Sequence, residues 1–415
     1  MKIAIVGSGI AGLTCAYLLN RKHDIQVFEA SDWIGGHTHT VDVQVEGRRY
    51  AIDTGFIVFN DWTYPNFIRL LGQVGVAFKP TEMSFSVSDP RSGVEYNGHD
   101  LNSLFAQRSN LWSPAFWGML RDILRFNRQS LDDLASDRID ADTTLGQYLQ
   151  RNGYGRRFIE HYIVPMGSAI WSMSLADMLG FPLQFFVRFC KNHGLLSVSD
   201  RPTWQVIEGG SRSYVAPLTA SFAERIRLNC PVSRVVRDDN GVTLHSAAGE
   251  ERFDKVVFAC HSDQALALLD QASTAERDIL GALPYASNDV VLHTDTRLLP
   301  ERQLAWASWN YRLGGPSDQP AAVTYNMNIL QGIDSATTFC VSLNQSAAID
   351  PGKILARFRY AHPQYSLAGT AAQARWQELQ GAQHSYFCGA YWANGFHEDG
   401  VVSALRVARA FGETL

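Results

Sequence analysis

The chain has 415 residues, of which 46 % are apolar, 11 % aromatic and 19 % charged. This composition supports a large buried core, excludes intrinsic disorder and collagen-like repeats, and the length suits two or three domains of about 150 residues. A formal net charge of −5, with no basic run, argues against a nucleic-acid binder.

The first 29 residues predict a strand, a glycine turn, a helix and a second strand. Residues 2–6 and 24–29 are the strands, and 13–22 has helical spacing. The turn is a complete G-x-G-x-x-G formed by Gly7, Ser8, Gly9, Ile10, Ala11 and Gly12. In this setting the glycines allow a tight turn and a close approach of a pyrophosphate to the helix N-terminus. Glu29, 22 residues after Gly7, is placed to accept from ribose hydroxyls.

The residues after Glu29 contain two short motifs, formed by Ala30, Gly35, Gly36, His37 and Thr38 and by Asp53, Thr54, Gly55 and Phe56. They resemble the pattern E-A-x(4)-G-G-R-T and the later D-x-G of the flavin amine oxidase superfamily. The resemblance implies that the dinucleotide is FAD rather than NAD. His37 stands where the family usually has an arginine. Because the cysteine motif used for covalent attachment is not seen at Cys388, we expect FAD to be bound non-covalently.

Two further segments are similar to the same superfamily. Residues 386–392 predict a strand and a turn, followed by a helix whose N-terminus the resemblance places at the pyrimidine end of the flavin. The residues implied there are Gly389, Glu398, Asp399 and Gly400. In mid-chain, a turn at Gly209 and Gly210 is similar to the family's G-G turn before a helix, which is predicted over 214–225. Where 230–260 then predicts successive strands, Val232 is implied to bracket the adenine.

The resemblance implies an α/β fold with two domains. One is a Rossmann-like FAD-binding domain of the glutathione-reductase/amine-oxidase type, assembled from 1–75, 203–262 and 380–415. The other is a mixed α+β substrate-binding domain formed by 76–202 and 263–379. The absence of a second G-x-G-x-x-G argues against a pyridine-nucleotide–disulfide reductase.

The substrate segments contain helical and strand patterns. Residues 113–133 and 144–151 predict helices, and 290–294, 321–329 and 338–343 predict strands. Met and aromatic residues concentrate at 158–190. They are either core or the lining of an apolar tunnel, or membrane-facing mouth, for an acyl chain.

Several residues are candidates for the chemistry. The resemblance implies that Tyr391, Trp392 and Phe396 wall the flavin ring. Among the histidines weighed for proton transfer, which are His293, His362 and His397, the motif favours His397. Many amine oxidases place a lysine near flavin N5 on the strand at 285–293, close to Val290, and this strand has none. Ordinary amine oxidation is therefore disfavoured.

The six cysteines show no C-x-x-C pair or zinc-like spacing, and Lys2 leads directly into an apolar strand without a secretory pattern. We therefore expect a cytoplasmic protein with reduced thiols. No stretch reaches the about 18 apolar residues of a membrane span, which leaves a peripheral membrane contact open.

Runs around Gly35–Val41, Trp306–Tyr311 and Gly395–Gly400 look like bacterial FAD-binding oxidoreductases that accompany enzymes resembling cyclopropane-fatty-acid synthase. The leading hypothesis is thus an FAD-dependent oxidoreductase that removes a hydride from an apolar, fatty-acyl substrate. The alternatives are a flavin-containing amine oxidase, a flavin-dependent fatty-acid double-bond isomerase, and a flavin-bearing binding protein without enzymatic activity.

Overall fold

A computed structural model describes residues 1–315, 318–319 and 321–415. The strands, in chain order, are β1 Lys2–Val6, β2 Asp24–Phe28, β3 Thr40–Val45, β4 Arg48–Asp53, β5 Val58–Asn60, β6 Phe78–Pro80, β7 Phe85–Asp89, β8 Val94–Asn97, β9 Trp204–Ile207, β10 Ile226–Arg227, β11 Val232–Asp238, β12 Gly241–Ser246, β13 Gly249–Phe253, β14 Lys255–Phe258, β15 Tyr285–His293, β16 Trp309–Arg312, β17 Val323–Asn326, β18 Cys340–Leu343, β19 Ile354–Pro363 and β20 Ser385–Phe387. The α-helices are α1 Ile10–Leu19, α2 Pro65–Gln73, α3 Leu101–Leu104, α4 Pro114–Ala135, α5 Leu145–Arg151, α6 Arg156–Phe158, α7 Val164–Trp171, α8 Leu175–Leu179, α9 Leu183–Asn192, α10 Val215–Thr219, α11 Ser262–Leu268, α12 Thr274–Gly281, α13 Met327–Leu330, α14 Leu367–Ala374 and α15 His397–Ala410.

A five-stranded parallel sheet with the order β10-β2-β1-β14-β20 carries the N-terminal motif. Its central strand β1 is buried over Ile3–Val6, as expected for a parallel strand that helices cover on both faces. Helix α1 buries nine of its ten residues and packs against α15. The two ends of the chain therefore meet on one sheet.

A seven-stranded sheet with the order β19-β15-β18-β17-β16-β7-β8 forms the other large layer. Its strands pair antiparallel except for β16 and β7, which run parallel. Three smaller sheets complete the strand pairing among the described residues, namely β11-β12-β13, β3-β4 and β5-β9-β6.

The strands of the two large sheets follow the segments defined from the sequence. Those of the parallel sheet lie within 1–75, 203–262 and 380–415, and those of the seven-stranded sheet lie within 76–202 and 263–379. We propose these segments as the two domains.

Two predicted elements end earlier than their patterns indicate. The helix predicted to reach residue 225 stops at Thr219, whose hydroxyl donates to the Val215 carbonyl at 2.9 Å and so competes with the backbone. The strand predicted over 321–329 ends at Asn326. Its side chain accepts from the backbone N–H groups of Asn328 and Ile329 and thereby caps α13.

The aromatic segment 158–190 forms packed core. Phe158, Phe181 and Phe186 are fully buried. The Trp171 ring lies 4.5 Å from that of Phe181 and 4.8 Å from that of Phe189. These contacts match the core interpretation of the segment rather than an open tunnel through it. Among the described residues, none of the helices combines the length and hydropathy needed to cross a bilayer.

Candidate active site

The glycine turn between β1 and α1 is forced by close backbone contacts. Gly7 has φ +106°, and a Cβ there would lie 2.8 Å from the Ala259 carbonyl oxygen after β14. A Cβ on Gly12 would lie 2.0 Å from the Gly7 oxygen. Both positions therefore require glycine, which is the only residue without a Cβ.

Gly9 is different because a Cβ there would meet no atom within 4 Å. It is the N-cap residue of α1, and no side chain caps that helix end. The free backbone N–H groups of the first turn, together with the helix dipole, are therefore available to an anion. This open space at a free helix N-terminus fits the diphosphate of FAD.

The acid at the end of β2 lies beside this turn. One oxygen of Glu29 accepts from the N–H and hydroxyl of Ser8 at 2.9 and 2.6 Å, and the other accepts from those of Ser31 at the same distances. A ribose hydroxyl would therefore replace a serine hydroxyl on Glu29. The Cys230 N–H donates to the Glu29 carbonyl at 2.8 Å, which brings Val232 to the same end of the sheet.

The double-glycine loop lies against the cradle. Gly35 forms a β-bridge with Gly9, and a Cβ on Gly36 would lie 3.2 Å from the Gly9 Cα. On its other side, the His37 carbonyl accepts from the Phe56 N–H at 2.7 Å, and a Cβ on Gly55 would lie 2.3 Å from that oxygen. Both sequence motifs are thus packed as one unit around the glycine turn.

The N-terminus of α15 also meets the cradle. A Cβ on Gly400 would lie 2.8 Å from Cγ2 of Ile10, so the first turns of α1 and α15 touch. The carboxylates predicted to serve the cofactor are engaged elsewhere. Asp399 accepts from the N–H groups of Asn394 and Phe396, while Glu398 accepts from those of residues 66–67 at the start of α2. Both carboxylates of this turn are therefore engaged by protein backbone.

Asp53 accepts hydrogen bonds from several distant segments of the chain. Its fully buried carboxylate accepts from the Thr40 hydroxyl at 2.6 Å, from the Ser211 N–H and hydroxyl at 2.9 Å, and from the Gln331 amide at 3.0 Å. Burial raises its pKa to about 6, although these hydrogen bonds lower it. Asp53 therefore binds residues on both sides of the loop, and its assignment to direct cofactor binding stays a prediction.

A histidine cluster, formed by His37, His261, His362, Tyr285 and Tyr360, lies where the two large sheets meet. The His37 ring is 5.4 Å from that of His362 and 5.2 Å from that of Tyr360, both on one face of edge strand β19. His261, which follows β14, stacks on Tyr285 at 4.1 Å. The His37 Nε2 finds no hydrogen-bond partner among the described residues. The cluster thus lies between the double-glycine loop and the seven-stranded sheet.

The imidazoles of the cluster are uncharged at neutral pH. Burial lowers the pKa of His37 and of His261 to about 4 and that of His362 to about 3, and the neighbouring histidines lower each value further. Neutral imidazoles offer hydrogen bonds without charge.

The residues predicted for chemistry lie mainly in the interior. His397 stacks on Phe56 at 3.4 Å, its Nε2 lies 3.0 Å from the Thr38 hydroxyl, and burial lowers its pKa well below the ordinary value. His293 is fully buried within the seven-stranded sheet. These contacts favour a positioning role for His397.

The three aromatic residues that were predicted to wall the flavin pack against other apolar side chains. Tyr391 and Trp392 are buried in the core cluster that contains Phe387, and the Trp392 indole donates to the Phe387 carbonyl at 3.1 Å. Their assignment to the flavin wall stays a prediction. Phe396 is half-buried and stacks on Phe189 at 5.3 Å, which makes it a continuation of the aromatic core.

Three other residues that were predicted to bind the cofactor lie in backbone hydrogen bonds or at the surface. Thr54 donates to the His39 carbonyl, Gly389 donates to the Ser403 hydroxyl, and Ala30 is exposed. His261 and Tyr360 were not singled out from the sequence. His261 had a usable signal, because it follows the carboxyl end of a parallel strand, where ligands bind in open α/β sheets.

A helix N-terminus that no side chain caps follows the G-x-G-x-x-G turn, and Glu29, the acid expected to bind the ribose, lies after the neighbouring parallel strand. This arrangement defines a dinucleotide-binding protein. The family model of flavin-containing amine oxidoreductases matches residues 10–332. The chain belongs to this family. The family implies an FAD-dependent oxidoreductase, in agreement with the predicted class and cofactor.

Curated relatives match over part of their length. The Mycobacterium tuberculosis protein AofH, named as a flavin-containing monoamine oxidase, is 25 % identical over 271 residues, or 62 % of this chain and 56 % of AofH. The 1-hydroxycarotenoid 3,4-desaturase of a Flavobacterium species is 33 % identical over 106 residues, or 25 % of this chain and 20 % of the desaturase. The chain therefore spans about half the length of the first of these relatives.

Solved structures confirm the predicted α/β FAD-binding fold. Putrescine oxidase with bound putrescine superposes with a TM-score of 0.70 at 14 % identity, covering 99 % of both chains. A fatty acid isomerase from P. acnes that produces CLA superposes with a TM-score of 0.68 at 16 % identity, covering 99 % of this chain and 98 % of the isomerase. At this identity the likeness concerns the fold alone.

Proposed function

We propose that this oxidoreductase removes a hydride from a C–H bond of an apolar, fatty-acyl substrate and leaves a carbon–carbon double bond. The observation that carries the proposal is the histidine cluster, whose three imidazoles are neutral at pH 7. In addition, β15 carries no lysine along its whole length. An uncharged site of this kind suits the hydrocarbon part of a lipid.

The residues around the site would bind the cofactor and accept a proton from the substrate. FAD, when bound, accepts the two electrons of the hydride. The α1 N-terminus at Gly9 and the double-glycine loop would hold the cofactor, and the α15 N-terminus would offer it backbone N–H groups. The partner-free Nε2 of His37 is the polar atom that we assign to the proton leaving the neighbouring carbon. The desaturase and isomerase names among the relatives support an apolar substrate.

The test mixes the purified flavoprotein anaerobically with detergent-dispersed fatty acids and phospholipids, and separately with diamines and aromatic amines. Loss of the oxidised-flavin absorbance near ~450 nm reports hydride transfer. Bleaching by acyl lipids and not by amines supports the proposal. Bleaching by amines alone refutes it. Lipid product without net bleaching or a need for an acceptor indicates isomerisation instead.

Amine oxidation is the second candidate, favoured by the family match and by the AofH relative. A His37→Gln variant tests the role assigned to His37 in lipid oxidation. It removes the proposed proton acceptor while keeping a polar side chain. We expect at least a hundredfold slower bleaching by lipid, in the range of general base catalysis. A rate within threefold of the unaltered protein would remove His37 from the mechanism.

A further inference from the structure

An exposed apolar surface covers the region from α3 to the middle of α4. Trp112 is 86 % exposed, Leu101 76 %, Leu124 58 % and Trp117 50 %. Leu304, on a turn that contacts α3, is also exposed. The near-complete exposure of the Trp112 side chain to water is unusual for a tryptophan. Contiguous exposed apolar surface marks an interaction site.

Within residues 101–128 the exposed charged side chains are of one sign, while the exposed acids Asp100 and Glu301 lie at the border of the surface. Residues 101–128 contain four arginines, and their exposed charged side chains are Arg108, Arg121 and Arg128. Asp122 is the only acid in this stretch, and it is buried. All of these residues are described by the structure. A local basic surface on a chain of net charge −5 is therefore a distinct feature.

Contacts with neighbouring residues fix the positions of Trp117 and Arg108 on this surface. Trp117 donates from its indole to the Leu111 carbonyl at 2.9 Å and packs on the buried Phe105. Arg108 donates to the Phe105 carbonyl at 2.9 Å. Along α4, positions 117, 121, 124 and 128 form one helical stripe in which apolar and basic residues alternate.

We propose that this tryptophan–leucine–arginine surface binds the anionic face of a lipid bilayer. Tryptophan favours the bilayer interface, leucine inserts into the acyl boundary, and arginine pairs with anionic headgroups. The occupant is a membrane surface rather than a second copy of the chain, because two such surfaces would bring like charges together. The inference stands on the surface alone. If the proposed function holds, the surface also brings the enzyme to its substrate.

The test is cosedimentation of the holoenzyme with vesicles of phosphatidylcholine alone and of phosphatidylcholine mixed with phosphatidylglycerol. We expect binding to the mixed vesicles that weakens with added salt, and at least tenfold weaker binding to phosphatidylcholine alone. Trp112→Ser should lower the partition coefficient about tenfold or more, since the indole no longer enters the interface. Arg121→Gln and Arg128→Gln should each lower it about fivefold.

Val198→Ser is the matched control, because Val198 is 69 % exposed beside the acidic Asp200, and binding should be unchanged. Equal binding of all variants, or no binding of the unaltered protein to either vesicle, overturns the proposal. Self-association that depends on Trp112 also overturns it. Flavin bleaching by detergent-dispersed lipid should be the same in Trp112→Ser as in the unaltered protein, so this test and that of the proposed function fail independently.

Discussion

Replacement of Gly9 by valine separates cofactor binding from folding. The backbone of Gly9 has φ −65° and ψ 175°, which any residue adopts, and a Cβ there meets no protein atom within 4 Å. The apoprotein should therefore lose no more than about 1 kcal/mol of unfolding free energy, the scale of a changed N-cap residue.

The bound cofactor should respond very differently. A side chain on Gly9 occupies the space through which the diphosphate reaches the α1 N-terminus. Two hydrogen bonds to a charged group contribute about 1.5–3 kcal/mol each, so their loss is worth about 3–6 kcal/mol. The dissociation constant for FAD should rise by roughly a hundredfold to ten-thousandfold.

The assay measures flavin content after purification, FAD titration of the stripped protein, and urea unfolding of the apoprotein. Gly12→Ala is the contrasting variant, because its Cβ would lie 2.0 Å from the Gly7 carbonyl oxygen and must displace backbone. It should destabilise the apoprotein by about 1–3 kcal/mol. Our placement of the diphosphate is refuted if Gly9→Val keeps an unaltered FAD affinity. It is equally refuted if this apoprotein unfolds as readily as that of Gly12→Ala.

Three further outcomes follow from buried polar groups. The Arg237 and Glu276 side chains are each 4 % exposed and pair at 2.5 Å, so Arg237→Met should lower the unfolding free energy by about 3–5 kcal/mol in urea titration. Burial raises the pKa of Asp53 to about 6, so the folded state binds the Asp53 proton more tightly than the unfolded state does. The resulting stabilisation is present below about pH 4 and is lost as the pH rises through 6. Asp53→Asn should flatten this part of the curve of unfolding free energy against pH. His397→Gln should slow flavin reduction by less than tenfold, since the neutral ring bonds to Thr38, and a loss of a hundredfold or more would instead show proton transfer.

The cofactor cradle was predictable because its signals are local. Strand, glycine turn, helix, strand and Glu29 follow one another within 29 residues, and each element has its own pattern. The structure gives Gly7 and Gly12 the close contacts that this motif requires. The family resemblance likewise located the double-glycine loop and the α15 turn.

The histidine cluster was not predictable in this way. Residues 37, 261 and 362 come together only through the pairing of β14 with β1 and the register of β19 on β15. Asp53 shows the same limit, since its motif was visible but its partners Ser211 and Gln331 lie far along the chain. Spacing also does not tell which way a side chain leaves a turn, so the burial of Tyr391 and Trp392 beside Phe387 could not be predicted from the sequence.

The contact of α15 with α1 sets the order of events during synthesis. The glycine turn is translated before the strand and helix that complete its surroundings, β20 and α15. Since domains generally fold as units once their segments are available, the nascent chain would hold an incomplete flavin-binding surface until β20 and α15 have been made. Cofactor capture would then wait for these two elements, and newly made protein would depend on the FAD supply at that point rather than when the glycine turn first emerges.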